Sequence, residues 1–151
     1  MIWGCMAADG VGEMFVCEDR MDCQVYVNVL EAVLLPSSTR IFGDANLNGV
    51  QFQKDNAPCH KTATTMRWFR DNNIVLLDCP AQSPDLNPIE HMWAILKRKI
   101  KEHSTTSKTA LKNALINEWY AISADECAKL VRSMPKRIAA SIKSKDGPTK
   151  Y

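Results

Sequence analysis

Apolar and polar positions alternate with turn signals at the start of the chain. Ile2 to Met6 and Glu13 to Cys17 read as two short strands, with Asp9-Gly10-Val11-Gly12 as the turn between them. From Cys23 to Leu35 the period changes: Val25, Tyr26, Val29, Leu30, Val33 and Leu34 recur at helical spacing, Asp22 is the N-cap, and Pro36 is expected to end the helix. A loop over Asn46 to Gly49 feeds a short strand ending at Asp55, broken by Asn56-Ala57-Pro58. Thr62 to Phe69 predicts a short helix stopped by Asn72-Asn73, and the apolar run Ile74 to Leu77 predicts a buried central strand. After a proline-rich loop, Pro80 to Pro88, the pattern is helical to the end. Asn87 is an N-cap candidate, Pro88 sits at N1, Glu90 at N3, and Ile89, Met92, Trp93, Leu96 and Ile100 form one apolar stripe. Ser107 to Tyr120 follows, then a helix opened by the capping box Ser123-Ala124-Asp125-Glu126, broken or kinked by Pro135; Gly147-Pro148 closes the structured part. Strands alternating with helices predict an α/β layered domain, and neither a repeat nor a long linker divides it.

The 151 residues are enough for one domain with a real core, and 46% apolar with 24% charged residues excludes disordered or low-complexity character. No apolar run approaches the roughly 18 residues of a membrane helix, so no membrane partner is expected. The six cysteines, at 5, 17, 23, 59, 79 and 127, form no C-x-x-C pair, and without a secretory signal they suit reduced thiols in a reducing compartment. Net charge is only +2 but unevenly spread: −5 over residues 1–50, −1 over 51–90 and +8 over 91–151. Such asymmetry suits an acidic half and a half facing a polyanion, or simply well-solvated lysine-rich helices.

Asp55 and Glu90 carry the candidate chemistry. Asp55 stands where a strand ends, the usual place for ligands in open α/β sheets, and Glu90 opens a helix, separated from it by 34 residues. If the intervening buried strand pairs beside the first, the two carboxylates converge and suit a hard cation such as Mg2+ or Mn2+. A pair of such ions about 4 Å apart activates water and stabilises both oxygens of a phosphodiester displacement. Taken singly, Glu90 equally suits a capping box on Asn87, and Asp55 a turn bond to the Asn56-Ala57-Pro58 backbone.

Phe52-Gln53-Lys54-Asp55-Asn56-Ala57-Pro58-Cys59-His60 and Leu77-Asp78-Cys79-Pro80-Ala81-Gln82-Ser83-Pro84-Asp85-Leu86-Asn87-Pro88-Ile89-Glu90 resemble two sequence blocks of the Tc/mariner superfamily transposases. Trp3-Gly4-Cys5 resembles a strand motif of the same domain, and Ser133-Met134-Pro135-Lys136-Arg137 resembles its C-terminal helix. Lys54, where the family usually has Gln, and Cys79, where it has Trp, depart from the pattern. The resemblance implies an RNase H-like fold with a short mixed sheet flanked by helices and a helical C-terminal half. It also implies DDE-type endonuclease and strand-transfer activity, Mg2+ (or Mn2+) dependence and action on DNA in the nucleus. Asp55 would be the second metal-binding carboxylate and Glu90 the third.

By the same resemblance the first carboxylate belongs to a strand upstream of Trp3. Residues 1–151 are therefore expected to be a single partial catalytic domain lacking that strand, with weakened metal binding and no detectable nicking. The open sheet edge would suit pairing with another chain, a protein partner or a full-length transposase. The alternative is a domesticated, non-catalytic DNA- or protein-binding module. On the helix from Pro88, residues Glu90, Ala94, Lys97 and Lys101 share one face, with Arg98 and Lys99 near its edges. A row led by a carboxylate and continued by Lys97, Arg98 and Lys101 suits weak, sequence-independent contact with a phosphate backbone. Cys59 and His60, adjacent rather than spaced as zinc ligands, read as structural or as support behind a ligand. Trp68, Trp93 and Trp119 read as core.

Overall fold

The computed structural model describes residues 1–18, 20–43, 47, 49–78 and 84–144. The predicted features at Asn46, Cys79, residues 80–83 and Gly147-Pro148 lie outside them. The chain divides into two compact units: Met1–Cys5 with Val11–Gln82, and Met6–Gly10 with Ser83–Tyr151. Among the described residues no helix is long and apolar enough to cross a membrane.

Strands β1 (Ile2–Ala7) and β2 (Gly10–Val16) form a hairpin closed at its base by reciprocal bonds, each 2.8 Å, between Met1 and Cys17. The strands run further toward the turn than the glycines suggested, leaving only Ala8 and Asp9 outside. Gly12 is part of the ladder because a helix lies against it: a Cβ there would stand 2.4 Å from Cys5 Sγ and 2.6 Å from Ser37 Oγ. Ser37 in turn accepts from the Glu13 N–H at 2.8 Å and donates to Val33 O at 2.6 Å, so its buried hydroxyl is fully used.

That helix does not stop at Pro36. It runs as α1 (Cys23–Val29), a π-helical segment (Leu30–Leu34) and α2 (Leu35–Phe42), started by Asp22, whose side chain accepts from Val25 N–H. A proline inside an α-helix removes one bond and crowds the carbonyl four residues back. Here the Leu35 N–H reaches back five residues to Leu30 O, and this wider turn makes room just before the ring. The stop comes instead at Gly43, whose φ of 71° is the left-handed conformation that favours glycine.

Strand β3 (Gln51–Phe52) pairs in parallel with β4 (Val75–Leu76), Gln51 opposite Val75 and Phe52 opposite Leu76. Between them α3 (Ala63–Asp71) starts at Thr62, whose side chain accepts from Thr65 N–H, and ends near Asn72-Asn73 as expected. The α3 residues Trp68 and Phe69 are buried, with Phe52 and Phe69 ring centroids 5.6 Å apart and Trp68 Nε1 donating to Glu31 at 3.1 Å. The run at Ile74 is not buried on both faces: Ile74 is covered, while Val75 is 51% and Leu77 42% exposed. Strand alternation explains it, since only the face turned to α3 has a cover among the described residues.

The second unit is helical: α4 (Pro88–Ile100), α5 (Lys108–Tyr120), α6 (Ala124–Arg132) and α7 (Met134–Ser144). Met92, Leu96, Trp119 and Cys127 are its buried centre, with Trp93 stacked on Trp119 at 5.0 Å. Ser107 caps α5, and the Ser123–Glu126 capping box is fully formed at the start of α6. Pro135 falls in the first turn of α7, where it breaks the path from α6 without costing a bond.

Candidate functional site

Asp55 belongs to the first unit. The ladder ends at Phe52, whose carbonyl accepts the last bond, from Leu77 N–H at 2.9 Å, so Asp55 lies beyond the sheet rather than at its final residue. Its Oδ1 accepts from Ala57 N–H at 3.0 Å, which is the turn bond that an Asp before Asn-Ala-Pro favours. The same Oδ1 stands 2.5 Å from His60 Nδ1. A carboxylate only accepts, so Nδ1 donates.

His60 is itself well supported. It sits on the 3-10 turn Pro58–Lys61, which Thr65 of α3 ties down by donating to Cys59 O at 2.8 Å. Its ring lies over Tyr26 of α1, with centroids 4.0 Å apart. Burial pushes the Tyr26 phenol well above the ordinary tyrosine range, and the Asp55 charge pushes it the same way, so Tyr26 serves as a neutral platform. The Cys59 thiol is likewise raised, chiefly by burial, and is a poor thiolate.

Glu90 belongs to the second unit, at the third residue of α4. The capping reading can be tested there directly. Asn87 is the N-cap but its side chain makes no capping bond, and among the described residues the Glu90 carboxylate makes no hydrogen bond or ion pair. Glu126 at the same position of α6 closes its box by accepting from Ser123 N–H at 3.0 Å. Glu90 is therefore an exposed carboxylate at a helix start, stabilised by the dipole but not consumed by a cap. The turn before it, Pro84–Leu86, is held by the buried Arg137 of α7, whose guanidinium reaches Asp85 O at 3.4 Å and Ser133 Oγ at 2.7 Å.

The face predicted from helical phase is present: Glu90, Ala94, Lys97, Arg98 and Lys101 are all exposed. Lys99 differs. It turns toward α5 and α6, 3.9 Å from both Glu118 and Glu126, and so belongs to the packing of the helices.

Residues 2–112 match the family model described as DDE superfamily endonuclease. The chain belongs to that family. The transposable element Tc1 transposase of Caenorhabditis elegans is 37% identical over 151 residues, which is all of this chain and 54% of that protein. The chain spans about half the length of the curated relatives it matches. Among solved structures, the Mos1 transposase catalytic domain with Raltegravir and Mn superposes with a TM-score of 0.88 at 21% identity, covering 99% of this chain and 76% of that one. The Mos1 paired-end complex with the left transposon end gives 0.85 at 22% identity, covering 99% and 44%. At these identities the likeness concerns the fold, which is the RNase H-like α/β fold of the Mos1 catalytic domain. The chain is thus similar, over its whole length, to about half of a Tc1 transposase and, in fold, to the Mos1 transposase catalytic domain.

In this DDE superfamily chain, Asp55 and Glu90 suit a hard divalent cation as separate donors. Each is an exposed carboxylate; Asp55 has both of its bonds on Oδ1, and Glu90 has none among the described residues. No group of three or more His, Cys, Asp or Glu gathers as a metal cluster among the described residues. The sequence had His60 only as structural or as support behind a ligand; its bond to Asp55, and the contact of Arg137 with the Asp85 carbonyl, were not foreseen. His60 carried a signal in its place five residues after a turn aspartate; Arg137 carried none, because nothing in the pattern marks an arginine as buried.

Proposed function

We propose that this chain performs the metal-assisted part of DNA transposition, with Asp55 and Glu90 as two carboxylate ligands and the α4 cations alongside a DNA phosphate backbone. The observation that supports it most directly is Glu90: a carboxylate in the capping position that caps nothing and heads an exposed row containing Lys97, Arg98 and Lys101. The Mn in the Mos1 catalytic domain and the transposon end in the Mos1 complex supply the analogy for cation and nucleic acid.

A bound divalent cation, Mg2+ or Mn2+, would supply activation of water and charge stabilisation for phosphodiester cleavage. Asp55 presents Oδ2, its Oδ1 being held by Ala57 and His60; Glu90 presents its whole carboxylate. Lys97, Arg98 and Lys101 hold the backbone through charge alone, which gives weak, non-specific and salt-sensitive binding. Chromosomal DNA as substrate puts this action in the nucleus. An exposed carboxylate by itself holds a hard dication loosely, so the 151 residues tested by themselves are expected to bind metal weakly and to leave DNA uncut. A non-catalytic module is the second reading, favoured by the exposed Val75 of β4 and Leu77 just after it, which suit a protein contact.

The test is Mn2+ binding together with nicking of supercoiled plasmid. Weak Mn2+ binding that is reduced in Asp55→Ala and in Glu90→Ala, without nicking, is expected. Mn2+ binding unchanged in both variants refutes the ligand assignment, and metal-dependent nicking that vanishes in Asp55→Ala refutes the predicted inactivity.

A further inference from the structure

We propose that His60 is a positioning residue for Asp55: by donating Nδ1–H to Oδ1 it fixes the carboxylate plane so that Oδ2 is the oxygen offered to a divalent cation. This rests on the reading of Asp55 as a metal ligand and adds how that ligand is aimed.

An exposed aspartate is a poor ligand by default. The torsion that turns its carboxylate is broad, and solvent does not choose between the two oxygens. The Asp55 side chain is 58% exposed, yet two donors converge on one of its oxygens, the Ala57 N–H at 3.0 Å and His60 Nδ1 at 2.5 Å. The backbone donor holds the turn. The imidazole adds a second direction, and two directions at one atom define the plane.

His60 can do this because it is held more firmly than the group it holds. Its side chain is only 14% exposed, its ring rests on the buried Tyr26 at 4.0 Å, and its turn is tied to α3 through Thr65. A hydrogen bond to an ionised acceptor is also about twice as strong as a neutral one. Since Nδ1 is occupied by Asp55, the imidazole acts through the carboxylate and not as a ligand on that nitrogen. Partners that orient a ligand in this way typically matter about 10–100-fold for metal affinity.

Two substitutions separate the hydrogen bond from the ring contact. His60→Phe keeps a ring over Tyr26 and removes the donor; His60→Asn removes the ring and keeps an amide nitrogen near the place of Nδ1. Mn2+ is titrated into the 151-residue chain and followed by electron paramagnetic resonance, with circular dichroism giving the folded fraction to which each affinity is referred. His60→Phe is expected to weaken Mn2+ binding about 10-fold or more, and His60→Asn to stay close to the unsubstituted chain. Full affinity in His60→Phe overturns the proposal, and so does an equal loss in both variants, which would make the ring contact the cause. Asp55→Ala distinguishes the levels: unchanged Mn2+ affinity there removes Asp55 as a ligand and the present inference with it.

Discussion

The exposed cations of α4 make a quantitative prediction about salt. Lys97, Arg98 and Lys101 face solvent, and none has an ion pair among the described residues, so each is available to a phosphate. Releasing counterions from duplex DNA gives a slope of log affinity against log salt of about −0.9 per contact, so three contacts contribute about −2.7. Between about 50 and 200 mM salt that slope corresponds to about a 40-fold loss of affinity, and each single contact to about 3.5-fold. Replacing all three by glutamine should flatten the slope by about 2.7 and replacing one by about 0.9, as read by fluorescence anisotropy of a labelled duplex over a salt series. Lys99 is the internal control. It sits 3.9 Å from Glu118 and Glu126, already has its counter-charge, and Lys99→Gln should leave the slope nearly unchanged. An equal slope for the triple variant and the unsubstituted chain would refute the phosphate face. Flattening by Lys99→Gln as large as by Lys97→Gln would refute the division between the two sides of the helix.

Gly12→Ala should destabilise the first unit by about 1–3 kcal/mol in urea denaturation, because the added methyl meets Cys5 and Ser37 inside their radii. Ser123→Ala should cost about 1 kcal/mol through loss of the α6 cap. Glu126 is held below its usual 4.5, first by the Ser123 backbone N–H and then by Lys99. A carboxyl lowered by folding stabilises above its unfolded value and loses that contribution as pH falls through the folded one. Acid unfolding below about pH 4.5 should therefore be steeper in the unsubstituted chain than in Glu126→Gln, as followed by circular dichroism. The Cys5 thiol, pushed up to about 11 by burial, should resist alkylation at pH 8 in the folded chain and react on unfolding, ahead of which the less buried Cys23 should be labelled.

Local chemistry was legible where one segment decides the outcome. Thr62, Ser107 and the Ser123–Glu126 box start their helices as read, because a cap depends on three or four consecutive residues. Asn87 and Glu90 show the limit: the same pattern marks the α4 start correctly but does not reveal that the cap goes unmade. Pro36 misleads because its penalty is absorbed by a wide turn upstream, which leaves no sign in the apolar spacing. The strand before Asp55 is shorter than its apolar run, since the ladder extends only where β4 supplies a partner. The Asp55 turn bond is local and was foreseen. The His60 bond was not, because it depends on Tyr26 and Thr65, which come from two different helices.

The wide turn at Leu30–Leu34 also constrains how this gene segment can change in length. Removing the extra residue inside that turn would restore ordinary winding with the downstream phase kept, whereas removing one residue from the regular turns before it would rotate everything downstream by about 100°. A deletion in α1 would swing Ser37 away from the Glu13 amide and from the gap left by Gly12, and one inside the wide turn would press Pro36 against the coil behind it. The extra residue gives the Pro36 ring its room while the turns before it hold the register, so single deletions between Cys23 and Phe42 should be far less tolerated than substitutions at the same exposed positions.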